Sequence, residues 1–251
     1  MHDTCAATDI ESLRAIRDPA VDLVKWFAIF TMCIDHLRIV WPALGGLGAP
    51  GRLSFPLFCL VIAANVYRTR KGELLTRSNL RYALMIVVFS SLSQAPYLRF
   101  FGASAFGLNV LPTLGLGLVV AWGLHHRTYL AWGLALIAVA VALKYKTMLM
   151  YGLFGVSLPA VLLAALRSDN FFVWYLSGVT ALMANGSVSI FIMELDAYDN
   201  LRLGVSFVAP IFGLWLLRQR IEFNVPAIGI WGYGFYPVHM MLFALINQSA
   251  I

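Results

Sequence analysis

Three ionisable residues stand out because they lie within stretches that are otherwise apolar. Asp35 and His36 are adjacent in LVKWFAIFTMCIDHL, and His239 lies in FYPVHMMLF near the other end of the chain. Charged groups are costly in an apolar environment, so they usually face a partner or a cavity. His36 is a candidate general base. Asp35 can couple to it only indirectly, because neighbouring residues on a helix point about 100° apart.

Each of these residues also has a structural interpretation. Asp35 can pair with Arg38 one helical turn later, and His36 can form an interhelical hydrogen bond. Pro237 interrupts the helical hydrogen bonds just before His239, so this histidine can instead cap a freed carbonyl group. No HxxxH pattern or histidine cluster supplies a third ligand, and we expect no metal site.

The composition excludes a soluble domain as the setting of these residues. Of 251 residues, 61% are hydrophobic and 12% are charged, whereas soluble proteins have about 45–50% apolar and 25% charged residues. The lack of strict alternation favours helices over a barrel. Nine apolar runs approach the length of about 20 residues that a bilayer requires: 21–44, 53–67, 82–98, 108–124, 128–143, 148–166, 171–190, 203–217 and 225–247.

We therefore predict an all-α protein, a polytopic integral membrane helical bundle of about nine transmembrane helices. The whole chain, 1–251, forms a single domain that begins with a cytoplasmic segment over 1–20. The densest basic stretch, 68–81, should face the cytoplasm. Nine spans then place the N-terminus inside and both histidines in the outer half of the membrane.

The net charge of +6 does not require a nucleic-acid partner, because the cytoplasmic flanks of ordinary membrane proteins are basic. Membrane lipid is the expected partner, and the sequence is compatible with an oligomer. Arg52 opens the second span in GRLSFPLF, where it can bind an anion or extend to the interface. Asn109 starts LNVLPTLGLGL beside glycines that allow close helix approach.

Five segments together resemble the TraX family, multi-spanning proteins linked to N-terminal acetylation of conjugative pilin. They are LVKWFAIFTMCIDHL, GRLSFPLFCLVIA, RYALMIVVFSSLSQAPYL, LNVLPTLGLGL and FYPVHMMLF, in the order of the family. The family is in turn distantly similar to transmembrane acyltransferases such as heparan-α-glucosaminide N-acetyltransferase, which take acetyl from cytoplasmic acetyl-CoA and deliver it across the membrane. The stretch from about 128 to 230 carries no specific motif.

The resemblance implies an N-acetyltransferase of the bacterial inner membrane, with acetyl-CoA as donor and the pilin N-terminus as the expected acceptor. It marks Asp35 and His36 as catalytic. Arg52 and Asn109 are motif positions near the site. The basic 68–81 stretch suits the phosphates of the coenzyme as charge-assisted contacts, and its candidate contacts are Arg68, Lys71 and Arg81.

Two chemical schemes fit this interpretation. His36 either removes the proton of the acceptor amine or itself accepts the acetyl group, while Arg52 or His239 steadies the oxyanion. The outer loop that contains Glu194, Asp196 and Asp199 can attract an amine.

Two other functions remain as alternatives. Buried Asp and His residues in broken helices also mark proton-coupled transporters, although no inverted repeat is visible. A non-catalytic membrane subunit of pilus assembly would use the same polar residues only to fix helix packing.

Overall fold

The computed structural model describes residues 18–105, 107–186 and 196–249, and this part of the chain is helical without a strand. The predicted all-α class is therefore confirmed. The nine longest helices in the described part are α1 Pro19–Val40, α2 Ser54–Tyr67, α3 Arg77–Phe101, α4 Val110–His126, α5 Tyr129–Lys144, α6 Gly152–Leu166, α7 Phe171–Gly186, α8 Ala197–Leu216 and α9 Trp231–Ser249. Each overlaps one of the nine apolar runs. The predicted cytoplasmic segment, up to residue 17, lies outside the described residues.

Side chains just before the helices determine where several of them begin. Each accepts a hydrogen bond from a backbone N–H that the first helical turn leaves without a partner. These capping residues are Asp18 for α1, Thr76 for α3, Asn109 for α4, Thr128 for α5 and Asp196 for α8.

One end of the bundle holds the start of α1 and the ends of α2, α4 and α6. Arg68, after α2, pairs with Asp18, before α1. His125, in the last turn of α4, donates through Nε2 to the Thr69 carbonyl over 2.9 Å. Its other ring nitrogen accepts a hydrogen bond from Arg167, after α6. We call this the basic end of the bundle.

The remaining helices also have, in turn, a start or an end at the basic end. Arg218, after α8, pairs with Asp169, before α7, at 2.8 Å. The Trp26 indole of α1 donates to the carbonyl of Pro226, which precedes α9, over 3.0 Å. Successive helices therefore run in opposite directions.

The opposite end of the bundle is built by the short connections. Between α1 and α2 the chain forms a 3₁₀ segment, Pro42–Leu47, and a helical turn, Gly48–Gly51. Tyr198 of α8 closes over this connection and donates to the Gly45 carbonyl at 2.6 Å.

α2 is the central helix and contacts α1, α4, α6 and α8. Most of its residues are buried. Gly213 of α8 allows the closest of these approaches, since a Cβ atom there would lie 2.5 Å from Leu60 of α2. Small residues at such crossings let helix backbones approach one another.

Two helical stretches of the described part, Pro42–Tyr67 and Arg77–Ser104, are long and apolar enough to cross a membrane. α4, α5 and α6 are apolar but shorter. α5 has three buried residues, all alanines, whereas its larger side chains point outward, with Leu136 70% and Ile137 61% exposed. The surface of the bundle is therefore apolar over much of its area.

Candidate catalytic site

The two histidines identified from the sequence meet inside the bundle. His36 of α1 and His239 of α9 are 203 residues apart, and their Nδ1 and Nε2 atoms are 2.9 Å apart. The rings are nearly coplanar, with an interplanar angle of 11°. Both side chains are buried, at 7% and 5% exposure. The interhelical hydrogen bond considered for His36 is present, and its partner is His239.

Aromatic rings surround the histidine pair. The ring centres of Phe100 and Phe101, at the end of α3, lie 5.6 Å and 5.8 Å from the His36 ring centre in edge-to-face contact, and the ring centre of Phe243 of α9 lies at 6.5 Å. The three rings exclude bulk water from this side of the pair. Sequence reasoning missed them because phenylalanines in an apolar run carry no chemical signal.

His239 also makes a local contact within its own helix. Its Nδ1 atom lies 2.9 Å from the carbonyl oxygen of Phe235, one turn earlier. The sequence placed Pro237 in this turn as a break in the helical ladder, and α9 does contain that proline internally. The histidine therefore caps a carbonyl and contacts His36 at the same time.

Asp35 faces a different neighbour from His36. Its Oδ1 atom accepts a hydrogen bond from Arg38 Nε at 2.9 Å. A Cβ atom on Gly51 would lie only 2.4 Å from that of Asp35, so the aspartate packs directly against the turn before α2. Among the described residues it has no hydrogen bond to His36. The structure therefore contains the ion pair with Arg38 that the sequence suggested as the structural role of Asp35.

Arg52 belongs to the cluster around Asp35. Its Nη1 atom donates to Asn185 Oδ1 over a long 3.5 Å, and its buried Nε atom has no partner within the described part of the chain. Tyr151 is in electrostatic range of both Arg52 and Asp35. Its ring stacks on Phe55 at 3.8 Å. None of the described hydrogen bonds connects this cluster to the histidine pair.

Asn109 is fully committed to helix packing. Its Oδ1 atom caps α4 by accepting from Leu111 N–H at 3.0 Å. Its Nδ2 atom donates to the Ser90 carbonyl and to Gln94 Oε1, both at 2.8 Å. Asn109 is completely buried. It therefore anchors the start of α4 to α3 and has no group left to bind a ligand.

An apolar cavity of about 180 Å³ lies between α1, α2, α3, α4 and α9, one helical turn from the histidines. Its inner end contains Met32, one turn before His36, together with Phe235 and Tyr236. Phe235 stacks on His239 at a ring-centre distance of 4.9 Å. We call this space the inner cavity.

A wider cavity of about 680 Å³ opens at the basic end and contains Arg68, Arg70 and Arg81 in its wall. We call it the mouth cavity. Lys71, which the sequence grouped with these arginines, is exposed and is not part of that wall. Arg68 is also engaged by Asp18, so the arginines differ in their freedom to bind a ligand.

Three residues belong to the walls of both cavities: Asn65, Tyr82 and Tyr233. Asn65 Nδ2 donates to the Tyr82 hydroxyl over 3.4 Å. The rings of Tyr82 and Tyr233 meet edge to face at 6.5 Å. These residues lie where the mouth cavity and the inner cavity adjoin, and we call them the neck. One asparagine and two tyrosines within apolar runs give no distinctive signal in the sequence.

The acidic outer loop is only partly described. Glu194 lies outside the described residues. Asp196 caps α8 by accepting from Asp199 N–H at 2.7 Å, and Asp199 pairs with Arg202 at 3.1 Å. Both described acids therefore have structural partners.

Residues 20–247 match the family model described as TraX protein. The chain belongs to the TraX family. TraX membership links the protein to pili and conjugation. The match also runs through 128–230, where no motif was recognised. Neither the curated proteins nor the solved structures compared with the chain give a match.

Proposed function

We propose that this TraX protein is a multi-pass inner-membrane acetyltransferase that moves acetyl from cytoplasmic acetyl-CoA to an acceptor amine on the outer face, the pilin N-terminus. One observation carries the proposal. A cavity with arginines in its wall adjoins an apolar cavity whose wall includes Met32 and Phe235, each one helical turn before a member of the buried histidine pair.

The distribution of polar and apolar groups supports placement in a membrane. Large apolar side chains face outward on α5, while buried hydroxyls such as Thr31, Ser93 and Ser206 bond to carbonyls of their own helices. Lipid is a suitable environment for the outward apolar side chains, and the internal hydrogen bonds leave the buried hydroxyls without a need for water. Nine alternating helices then make nine spans.

The charges at the basic end support its cytoplasmic placement, because Lys and Arg are enriched on that side of membrane proteins. The mouth cavity then opens where acetyl-CoA is available. Its arginines suit phosphate groups, which they bind through charge-assisted hydrogen bonds. The N-terminus is cytoplasmic in this arrangement.

The dimensions also fit the coenzyme. Between its phosphate and its sulfur, the pantetheine arm has the backbone length of about four extended residues, or roughly 14 Å. From Ile230, which lines the mouth cavity immediately before α9, to His239 within α9, the rise is about 14 Å at 1.5 Å per residue. A thioester can therefore reach the histidines while the phosphates stay at the mouth.

The histidine pair supplies the base for acetyl transfer. In direct transfer, the amine nitrogen attacks the thioester carbon, the C–N bond forms and the C–S bond breaks. His36 takes the proton from the amine and returns it to the departing thiolate. In a double displacement, His36 first forms a bond to the acetyl carbon as the thiolate leaves, and the amine then displaces it. The aromatic wall keeps water from hydrolysing the thioester.

The proposal is tested with purified protein in detergent, acetyl-CoA labelled on its acetyl group and a pilin N-terminal peptide. We expect label on the peptide with the wild type and with Cys33→Ala, a control on the same helix, but not with His36→Ala. Size-exclusion profiles would verify that each variant is folded.

The alternatives give different results in the same preparation. Proton-driven flux in proteoliposomes without labelled peptide would indicate a transporter. Neither flux nor acetyl transfer, with an unchanged pilus phenotype for His36→Ala, would indicate a packing subunit and refute the proposal.

A further inference from the structure

The two imidazole rings are joined edge to edge. Their interplanar angle is 11° and their centroids are 5.1 Å apart, while His36 Nδ1 and His239 Nε2 are 2.9 Å apart. Each nitrogen lies slightly less than one ring bond length from its ring centre, so the two nitrogens and the 2.9 Å contact together only just span the distance between the ring centres. Both nitrogens must therefore lie close to the line between the ring centres, which is the geometry of an in-plane N–H···N hydrogen bond.

The carbonyl of Phe235 determines which nitrogens carry protons. A carbonyl oxygen can only accept, so His239 Nδ1, 2.9 Å away, must be the N–H donor. In a neutral imidazole the other nitrogen is then an acceptor. His239 Nε2 therefore accepts from His36, and His36 carries its proton on Nδ1. The Nε2 atom of His36 keeps its lone pair.

We propose that His239 is a positioning residue that holds His36 in its Nδ1–H tautomer, so that Nε2 is the reacting atom of His36. This inference rests on the proposed acetyl transfer for its catalytic meaning, whereas the tautomers themselves follow from the contacts. Both nitrogens of His239 are committed, one as donor and one as acceptor. His239 therefore does not donate to the oxyanion, which corrects one of the roles considered for it from the sequence.

The arrangement assigns the path of charge in either chemical scheme. When His36 Nε2 takes the amine proton, or bonds to the acetyl carbon as the thiolate departs, the ring becomes positively charged. Its Nδ1–H then strengthens the hydrogen bond to His239 Nε2, and His239 in turn donates more strongly to the Phe235 carbonyl. The same logic applies to a histidine oriented by a third group in acyl-transfer enzymes.

The tautomers can be measured without any enzymatic assay. The full chain contains five histidines, and with ¹⁵N-labelled histidine, NMR of the wild-type protein in lipid separates protonated from unprotonated ring nitrogens. A through-space correlation between a protonated Nδ1 and an unprotonated Nε2 of two different rings identifies the pair. Protonation of His36 at Nε2 instead would overturn the assignment.

Two variants test the positioning role. His239→Gln places an acceptor oxygen near the position of Nε2, whereas His239→Ala removes the acceptor. We expect His239→Ala to lower kcat about 100-fold, the usual scale of acid–base assistance, with the KM for acetyl-CoA within about twofold. His239→Gln should recover most of the loss. Equal losses in two folded variants would overturn the positioning role.

The measurements can refute the histidine assignment and the proposed function independently of each other. The expected tautomers in a protein that transfers no acetyl would support the histidine assignment and refute the proposed function. Acetyl transfer by a protein whose His36 is protonated at Nε2 would support the function and refute this inference.

Discussion

Replacing Arg81 with alanine tests whether the mouth cavity binds the phosphates of the coenzyme. Arg81 lies in the cavity wall next to Tyr82 of the neck, and no described ion pair occupies it. A charge-assisted hydrogen bond contributes about 1.5–3 kcal/mol, but Arg81 is exposed and water screens its charge. We therefore expect the contact between Arg81 and the phosphates to contribute about 1.4 kcal/mol to binding. Arg81→Ala should then raise the KM for acetyl-CoA about tenfold with little change in kcat.

The assay compares two acetyl donors, acetyl-CoA and S-acetylpantetheine, which lacks the phosphates. Arg81→Ala should raise KM for the first and leave the second unchanged. Arg77→Ala, on the same helix, and Lys71→Ala should affect neither donor, because both side chains lie outside the cavity wall. Equal effects of Arg81→Ala on both donors, or a larger effect of Lys71→Ala, would refute the phosphate assignment.

Four further substitutions, two of them with a matched control, separate packing from chemistry. Gly51→Ala should cost about 1–3 kcal/mol of stability, since its Cβ would overlap Asp35, whereas Gly45→Ala, with open space around it, should leave the melting temperature in detergent unchanged. Asn109→Ala should cost about 2–4 kcal/mol through the lost cap and hydrogen bonds; an unaltered melting temperature with a raised KM would contradict this. Ala138→Leu, at a position 3% exposed, should lower stability by about 1–3 kcal/mol, and Leu136→Ala, on the outer face of the same helix, should change it by less than about 0.5 kcal/mol. Phe243→Ala should open space beside His36 and raise the rate with butyryl-CoA relative to acetyl-CoA; an unchanged preference would remove Phe243 from the acyl site.

The positions of the long helices follow closely from the sequence because apolar runs alternate with short polar breaks. The prediction of 108–124 falls within two residues of α4, Val110–His126. The connection between α1 and α2 was not foreseen. The first apolar run extended to residue 44, whereas α1 ends at Val40, and Pro42–Leu47 and Gly48–Gly51 form separate helical turns. Tyr198 of the distant helix α8 donates to a carbonyl of this connection, a contact that no local pattern predicts.

The candidate site was predictable only where the residue type itself is unusual for its surroundings. His36 and His239 are costly in apolar segments, so their presence pointed to a shared environment. Tyr82 and Tyr233 of the neck are ordinary core residues by type, and only the packing of α3 against α9 shows that they meet where the two cavities adjoin. Lys71 and Arg81 look alike in sequence. They differ because Arg81 lies in the first turns of α3, facing the cavity, and Lys71 lies in the preceding loop.

Asp35 and His36 are adjacent in the sequence but have different neighbours in the structure. Consecutive residues on α1 point about 100° apart, so the helix presents them to two different surroundings. His36 faces His239 and Phe100, one helical turn beyond Met32 of the inner cavity. Asp35 faces the turn before α2, and both Asp35 and Arg52 lie in electrostatic range of Tyr151.

The two faces of α1 therefore present His36 and Asp35 to different neighbours. In the proposed transfer across a membrane, donor and acceptor approach one reacting atom from different compartments. In this arrangement Asp35 acts on the chemistry through the position of α1 and its connection to α2. Loss of Asp35 should therefore weaken the use of the acceptor peptide more than that of acetyl-CoA, and measurement of both KM values for Asp35→Asn would show which substrate it serves.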